Sequence, residues 1–96
     1  MAYKVITSSK SEIDVSRAIE YYKEINIELA KAFLKDLRAT KNYLVKHPKK
    51  IQVRYANICI AFLETFPYGI HFRLQDKTIT IISILGTAED SQKWED

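Results

Sequence analysis

The densest group of positive charge in this 96-residue chain lies at residues 46–50, which read KHPKK and are followed closely by Arg54. Ammonium groups at this spacing can bind phosphate or an acidic protein surface. A short lysine run at a helix end also offsets the negative end of the helix dipole, so a solvated loop explains the pattern equally well. Both interpretations stay open, and the candidate binding residues are Lys46, Lys49 and Lys50.

A second group of side chains could move a proton or hold an anion. His71 and Arg73 alternate on one face of a predicted strand, and Arg54 and Tyr55 are adjacent just before another. Each also has a structural interpretation: a histidine packed inside the protein, an arginine paired with a nearby carboxylate, and a half-buried tyrosine ring whose hydroxyl meets water. Residue type and spacing do not choose between these interpretations.

Metal and redox chemistry have little support in the sequence. The two histidines lie far apart and the single cysteine, Cys59, has no partner for an internal disulfide, so no metal site or cofactor is expected. Cys59 is predicted to pack in the core, as free cysteines commonly do. No apolar segment follows Met1 and no apolar run is long enough to cross a bilayer, which predicts a cytoplasmic protein.

Composition predicts a single folded domain over residues 1–96. Hydrophobic residues make up 47% of the chain, with only two glycines and two prolines, which excludes a disordered or low-complexity class. The charge is uneven, because residues 1–50 carry 11 Lys and Arg against 6 Asp and Glu, whereas residues 51–96 carry 4 against 6. The basic first half favours an acidic partner.

The first half of the chain predicts one strand followed by two helices. Residues 3–7, YKVIT, alternate as a strand does. Ser11, with an acidic residue three positions later, is typical of a helix N-cap, and helical spacing of apolar residues continues to about Lys23. The chain is expected to turn near Asn26, and a second helix to end near His47, just before a proline.

Beyond that proline, the apolar pattern changes from helical to strand spacing. Residues 58–63 are apolar on both faces, which predicts a strand inside the sheet. Residues 68–74 and 78–85 predict a hairpin around a polar turn. The closing stretch, GTAEDSQKWED, is expected to form a short turn or a tail folded back on the domain.

These elements predict an α+β domain in the order β-α-α-β-β-β. The expected architecture is a curved, mainly antiparallel four-stranded sheet with a two-helix hairpin on one face. The opposite, concave face is then expected to be exposed, where it could receive an extended segment or a helix of a partner.

Several segments, in this order, resemble the RelE/ParE superfamily of bacterial toxins, also described as plasmid-stabilisation proteins. They read YYKEINIELAKAFLKDL, KHPKKIQVRY, FPYGIHF and ILGTAEDSQKW, and the resemblance covers nearly the whole chain. It implies the toxin of a type II toxin–antitoxin module, which inhibits growth until a cognate antitoxin neutralises it. We expect that antitoxin to supply a partly disordered acidic segment that folds on binding.

The resemblance implies two alternative mechanisms. The RelE-like branch cuts mRNA inside the ribosome, which requires proton transfer and cations near the phosphate, and here those roles would fall to Arg54, Tyr55, His71 and Arg73. The ParE-like branch poisons DNA gyrase and needs no catalytic group. A binding module that has lost toxicity is the third hypothesis.

The chain departs from the mRNA-cutting relatives where those relatives carry catalytic groups. Near the end of the last strand it has Gly86 and Glu89 in place of a histidine and an arginine, although Trp94 is retained. Cys59 and Ala61 stand where those relatives often carry lysine or arginine. These departures make efficient mRNA cleavage less expected than the resemblance alone implies.

The FPYGIHF stretch is interpreted mainly as scaffold. In the superfamily it resembles, this element joins two strands, so Phe66 and Tyr68 are expected to pin the hairpin to the helices, and Pro67 to lie where no ladder hydrogen bond is needed. Within this stretch, Gly69 and His71 keep a functional alternative, because the missing side chain at Gly69 would let the backbone of a partner approach the sheet.

Overall fold

Two helices pack on one side of a five-stranded sheet. The computed structural model describes residues 3–87. In chain order the elements are β1 (Lys4–Thr7), α1 (Ser9–Ile25), α2 (Ile27–Lys46), a single 3₁₀ turn (Pro48–Lys50), β2 (Val53–Tyr55), β3 (Ile58–Phe62), β4 (Tyr68–Gln75) and β5 (Thr78–Gly86). Glu89, Trp94 and the rest of the predicted tail lie outside the described residues.

The sheet has the strand order β1-β5-β4-β3-β2. The first strand of the chain pairs in parallel with the last, and all other neighbours are antiparallel. The predicted α+β class, the helical hairpin and the mainly antiparallel sheet are therefore confirmed. β3 lies inside the sheet between β4 and β2, as its two apolar faces predicted.

The fifth strand, β2, is a correction to the predicted four. It has only three residues and turns into β3 through Ala56 and Asn57, whose φ angles are 42° and 64°. Two successive positive φ angles are typical of a two-residue hairpin turn, which is usually signalled by Asn-Gly or Asp-Gly. Because alanine is unusual in that conformation, the sequence carried no clear signal for this hairpin.

Helix α1 begins three residues earlier than predicted. Its N-cap is Ser8, whose Oγ accepts a hydrogen bond from the backbone N–H of Ser11 at 3.1 Å. Ser11 is buried in the first turn, and its own hydroxyl donates to the Ser8 carbonyl at 2.8 Å. The predicted cap at Ser11 is therefore wrong, because a serine in the first turn of a helix resembles a cap in sequence.

A single residue, Asn26, separates the two helices. Its backbone N–H closes α1 by donating to the Tyr22 carbonyl at 2.8 Å, and its side chain caps α2 by accepting from the N–H of Glu28 at 2.9 Å. Helix α1 therefore runs to Ile25, slightly beyond the predicted Lys23, whereas α2 ends at Lys46 with His47 as its C-cap, close to the prediction.

Aromatic rings join the helices to the sheet. Tyr22 of α1 and Phe33 of α2 pack against Phe66 and Tyr68, with ring centroids 4.9–6.2 Å apart. Edge-to-face ring pairs at these distances add stability beyond the area that they bury. The FPY element therefore acts as scaffold, as predicted.

The face of the sheet opposite the helices is buried at its centre, which corrects the expectation of an exposed face. Cys59 and Ala61 of β3 point into the helix-covered core, so the alternating Ile58 and Ile60 belong to the opposite face, yet each is only 4% exposed. His71 on β4 is completely buried. Exposed apolar groups on this face lie at its rim, where Phe62 is 41% and Ile6 43% exposed.

Gly69 does not leave room for a partner. A Cβ added there would lie 2.7 Å from Cγ2 of Ile60 and 3.4 Å from a ring carbon of Phe62. Side chains of the neighbouring strand β3 already fill the space above this glycine. The suggestion that a partner's backbone approaches the sheet at Gly69 is therefore wrong.

Candidate functional site

Tyr55 and His71 form a hydrogen-bonded pair. Tyr55 ends β2 and His71 lies in the middle of β4, so β3 separates their strands. The tyrosine hydroxyl lies 2.8 Å from Nδ1 of His71, and the ring centroids are 5.8 Å apart. The tyrosine side chain therefore reaches over Ile58 and Ile60 on the face opposite the helices, and the structure brings two of the predicted catalytic residues together.

The pair lies in a low-dielectric setting. Burial raises the pKa of the Tyr55 hydroxyl above its ordinary value, because the phenolate loses the hydration that stabilises it in water. His71 has no accessible surface. A buried imidazole can exchange a proton with the tyrosine, but a substrate on the protein surface cannot contact it without a rearrangement of this face.

Arg54 lies beside the pair and contacts another ring. Its guanidinium carbon is 5.4 Å from the centroid of the Phe62 ring, within the range of a cation–π contact. Arg54 stays exposed at the rim, so its charge remains available to an anionic ligand. Arg54, Tyr55 and His71 therefore lie on or beside the same face, with Arg54 outermost, and strand alternation places Arg73 on that face as well.

Arg73 lies farther along β4, opposite Thr80 of β5. It is exposed, and within residues 3–87 it forms no ion pair with Asp76 or Glu64, the two carboxylates nearest in sequence. Arg73 lines a surface pocket of about 520 Å³ together with Lys49 of the 3₁₀ turn. A member of the predicted catalytic set and a member of the predicted binding set therefore share one concavity.

The other two predicted binding lysines lie away from this pocket. Lys46 is the last residue of α2 and Lys50 ends the 3₁₀ turn, and both are exposed. Their positions match the solvated helix end that the sequence left open as an alternative, since cations there interact favourably with the helix dipole. Lys49 alone of the three lines the shared pocket.

Cys59 has the structural role that was predicted. It is buried in the core, and burial raises the pKa of its thiol because the thiolate is poorly solvated there. The part of the chain between residues 3 and 87 contains no group of three or more His, Cys, Asp and Glu side chains that could hold a metal ion. Neither described α-helix is long and apolar enough to cross a membrane.

Two aspartates on the helices bind backbone amides of the sheet and of a loop, a role that sequence reasoning missed. The Asp36 carboxylate on α2 accepts the backbone N–H groups of Thr65 and Phe66 at 2.9 and 3.0 Å, with a longer contact to Glu64 at 3.4 Å. Asp14 on α1 accepts the N–H of Ile84 on β5 at 3.0 Å. The partners lie far away in sequence, so local patterns carried no signal for these contacts.

The architecture matches a solved structure. A chain of the "Chromosomal ParDE TA system from P. aeruginosa" superposes with a TM-score of 0.77 over 88% of this chain and 95% of that chain, at 20% sequence identity. The chain has a RelE/ParE-like fold. No protein-family model matches the sequence, and a search of curated proteins found no match. At 20% identity the likeness concerns the RelE/ParE-like backbone, so the chemistry has to be argued from this chain's own residues.

Proposed function

We propose that this protein is the toxin of a bacterial type II toxin–antitoxin module and acts in the cytoplasm until a cognate antitoxin neutralises it. The observation that carries the proposal is the shared fold, over 88% of the chain, with a chain of a ParDE toxin–antitoxin system. The sequence resemblance to the RelE/ParE superfamily supports it independently, since that resemblance lies in four segments spread along the chain.

We further propose that the toxin inhibits its target by binding and not by cutting RNA. Its one strand histidine, His71, is completely buried and hydrogen-bonded to Tyr55, which keeps the best acid–base candidate away from any docked phosphate. The terminal residue of β5 is Gly86, which carries no side chain for proton transfer. A ParE-like mode, with DNA gyrase as the first target to test, requires no such group.

Induced expression in bacteria without an antitoxin tests toxicity. We expect growth to stop when the wild-type chain is produced and to continue when the unfolding variant Phe33→Asp is produced at the same level. Normal growth in the presence of soluble, folded wild-type protein would contradict the toxin proposal and favour a non-toxic binding module.

A supercoiling assay with purified gyrase tests the target. We expect the wild-type protein to inhibit DNA supercoiling, and the variant His71→Gln to inhibit equally well once its folding has been verified by circular dichroism. An unchanged supercoiling rate at a large molar excess of a protein that stops growth would rule out gyrase and leave toxicity intact.

Ribosome-dependent mRNA cleavage is the second candidate. The observation in its favour is the 2.8 Å contact between the Tyr55 hydroxyl and His71 with the cation of Arg54 beside it. If this mechanism operates, substitution of Arg54, Tyr55, His71 or Arg73 should lower translation-dependent cleavage of a reporter transcript by at least about tenfold. Intact transcripts at high concentrations of a growth-arresting protein would exclude it.

The proposed antitoxin contact is partly electrostatic. Residues 1–50 carry an excess of five positive charges, which complements an acidic segment. We expect the complex to weaken as salt rises from low to physiological ionic strength, because rim charges are screened. If the affinity does not change with salt, charge contacts do not contribute to the complex and apolar contacts must hold it together.

A further inference from the structure

The pocket shared by Lys49 and Arg73 has two cations, two amides and an apolar side. Asn57 and Gln75 supply the amides, and Ile51 and Val53 contribute apolar surface. The pocket lies where the 3₁₀ turn, the start of the β2–β3 hairpin and the end of β4 meet. We call it the Lys49–Arg73 pocket.

The pocket is electrostatically unbalanced. No aspartate or glutamate lines it, and within residues 3–87 neither of its cations takes part in an ion pair. The two ion pairs found in that part of the chain, Lys10 with Asp14 and Lys31 with Glu28, lie on the helices. Two uncompensated positive charges in one concavity attract an anionic group, and the guanidinium can bind a carboxylate through two parallel hydrogen bonds.

The lining distinguishes an acidic peptide from a nucleic acid. Single-stranded nucleic acids are held by several cations along the backbone together with aromatic rings on which bases stack. The Lys49–Arg73 pocket has two cations and no aromatic residue among those that line it. It offers instead Val53, which is 56% exposed, and the half-buried Ile51, which can pack against an apolar side chain next to a carboxylate.

We propose that the Lys49–Arg73 pocket binds an acidic peptide segment in which a glutamate or aspartate side chain is flanked by an apolar one. The carboxylate contacts Lys49 and Arg73, the amides of Asn57 and Gln75 bond the peptide backbone, and the apolar side chain covers Val53. Binding of such a segment does not require that the protein be toxic. The test below can therefore fail while the toxin proposal stands, and the toxin proposal can fail while the pocket still binds the peptide.

The test is a titration of the full-length, ¹⁵N-labelled protein with synthetic peptides, followed by NMR. The probe is an acetylated peptide of alternating glutamate and leucine, compared with peptides in which glutamine replaces glutamate or serine replaces leucine, and with a ten-nucleotide single-stranded RNA. We expect amide shifts from the Glu–Leu peptide to cluster around Lys49, Asn57, Arg73 and Gln75, and both altered peptides to bind more weakly.

Charge-neutralising variants give the second readout. Replacing both pocket cations, as Lys49→Gln with Arg73→Gln, should weaken the Glu–Leu peptide about tenfold, the effect of two exposed charge contacts. The matched control removes two exposed cations from α2, as Arg38→Gln with Lys41→Gln, and should change affinity less than about twofold. Shifts in the wild-type protein locate the site even if a variant fails to fold.

Three outcomes would overturn the proposal. Shifts that cluster elsewhere on the protein would show that the pocket is not the peptide site. If the pocket variant and the control variant weaken peptide binding equally, the effect comes from the net charge of the protein and not from the pocket. Binding of the RNA at the pocket in preference to the Glu–Leu peptide would assign the site to nucleic acid.

Discussion

The Asp36 carboxylate holds the loop between β3 and β4 against α2. It accepts the N–H groups of Thr65 and Phe66, and Phe66 in turn places its ring between Tyr22 and Phe33. A carboxylate that accepts two short backbone hydrogen bonds replaces the water that these N–H groups would otherwise bind, and charge-assisted bonds of this kind are stronger than neutral ones. This one side chain therefore connects the loop to the aromatic contact between helices and sheet.

Replacing Asp36 should destabilise the protein. We expect Asp36→Ala to lower the free energy of unfolding by about 1–2 kcal/mol, because the partly buried Phe66 amide loses its acceptor, whereas the exposed Thr65 amide can bind water and alanine itself favours a helix. Asp36→Asn retains one acceptor oxygen, so its free energy of unfolding should lie between those of the wild type and Asp36→Ala. Urea denaturation measures the change, with exposed Glu24→Ala as control, and equal stability of Asp36→Ala and Glu24→Ala would disprove the role of the carboxylate.

Gly69 shows why a residue of β4 must lack a side chain. A methyl group there would lie 2.7 Å from Cγ2 of Ile60, and Ile60 is β-branched and nearly buried, so it cannot easily turn away. We expect Gly69→Ala to cost about 1–3 kcal/mol of unfolding free energy.

A double-mutant cycle with Ile60→Ala checks the cause of that cost. Because the second substitution removes the atom that clashes, Ile60→Ala should cost less in the Gly69→Ala background than in the wild type. Additive costs, measured by denaturant unfolding of all four proteins, would point to another origin for the effect.

The raised pKa of Tyr55 makes stability depend on alkaline pH. Since the folded protein holds the phenolic proton more tightly than the unfolded chain, this stabilisation is complete below the ordinary tyrosine pKa of about 10 and is lost as pH rises through the folded-state pKa. Tyr55→Phe should cost about 1 kcal/mol near neutral pH, where the hydrogen bond to His71 is lost, and should lose less stability than the wild type between about pH 9 and about pH 11.

Urea midpoints across that pH range measure the Tyr55 effect. Tyr22, whose pKa burial also raises, is present in both proteins and serves as the internal reference. Wild-type and Tyr55→Phe curves that fall in parallel with pH would mean that Tyr55 does not contribute to the alkaline transition.

At the scale of elements, the first turns of α1 hold an irregular part of β5. The register between β4 and β5 shifts between His71 and Phe72, which pair with Ser83 and Ile81 and leave Ile82 as the extra residue of a bulge. The Ser8 hydroxyl donates to the Ile82 carbonyl at 2.8 Å, and the Asp14 carboxylate accepts from the amide just beyond the bulge. The cap of the helix thus also pairs a strand carbonyl at the bulge.

Loss of the Ser8 hydroxyl should therefore lower the free energy of unfolding by more than the loss of an ordinary helix cap does. We expect Ser8→Ala to lower the free energy of unfolding by about 2 kcal/mol, since it removes both the cap to Ser11 and the bond to Ile82. Ser16→Ala, on the exposed part of α1, is the control and should stay within about 0.5 kcal/mol of the wild type. Thermal and urea unfolding of Ser8→Ala that coincide with the control would contradict the double role.

For the whole molecule, the parallel pairing of β1 with β5 joins the first described strand to the last one. The backbone N–H of Lys4 donates to Lys77 at 2.9 Å, and that of Ser8 donates to Ile81 at 3.1 Å. Val5 packs against the core cluster. The first strand is therefore an integral edge of the sheet, formed by contacts between the beginning and the end of the described chain.

Removing residues 1–7 should destabilise the entire domain. We expect the free energy of unfolding to fall by roughly 3 kcal/mol or more, because the deletion removes the hydrogen bonds to β5 and uncovers the apolar core beneath Val5. Ile6→Thr changes an exposed side chain of the same strand and should have a small effect. A truncated protein that unfolds cooperatively at the wild-type urea midpoint would show that β1 is dispensable.

The sequence by itself determined the order and type of the main elements. Apolar spacing from Val15 to Tyr22 and from Ala30 to Leu44 predicted two helices, and alternation in ICIAF and YGIHF predicted strands. Side chains repeat every 3.6 residues in a helix and every two in a strand. The class and the helical hairpin followed from these local periods, whereas the burial of Cys59 followed from the general tendency of free cysteines to be buried.

Only the tertiary structure shows where the candidate residues lie relative to one another. Tyr55 and His71 lie 16 residues apart and meet across β3, and Asp36 binds amides 28–30 residues away. Such contacts depend on the order of the strands and on how the helices pack against the sheet, which no local pattern encodes. For the same reason the sequence could not show that His71 is buried or that Lys49 and Arg73 line one pocket. These two observations support the proposals made above for a binding role.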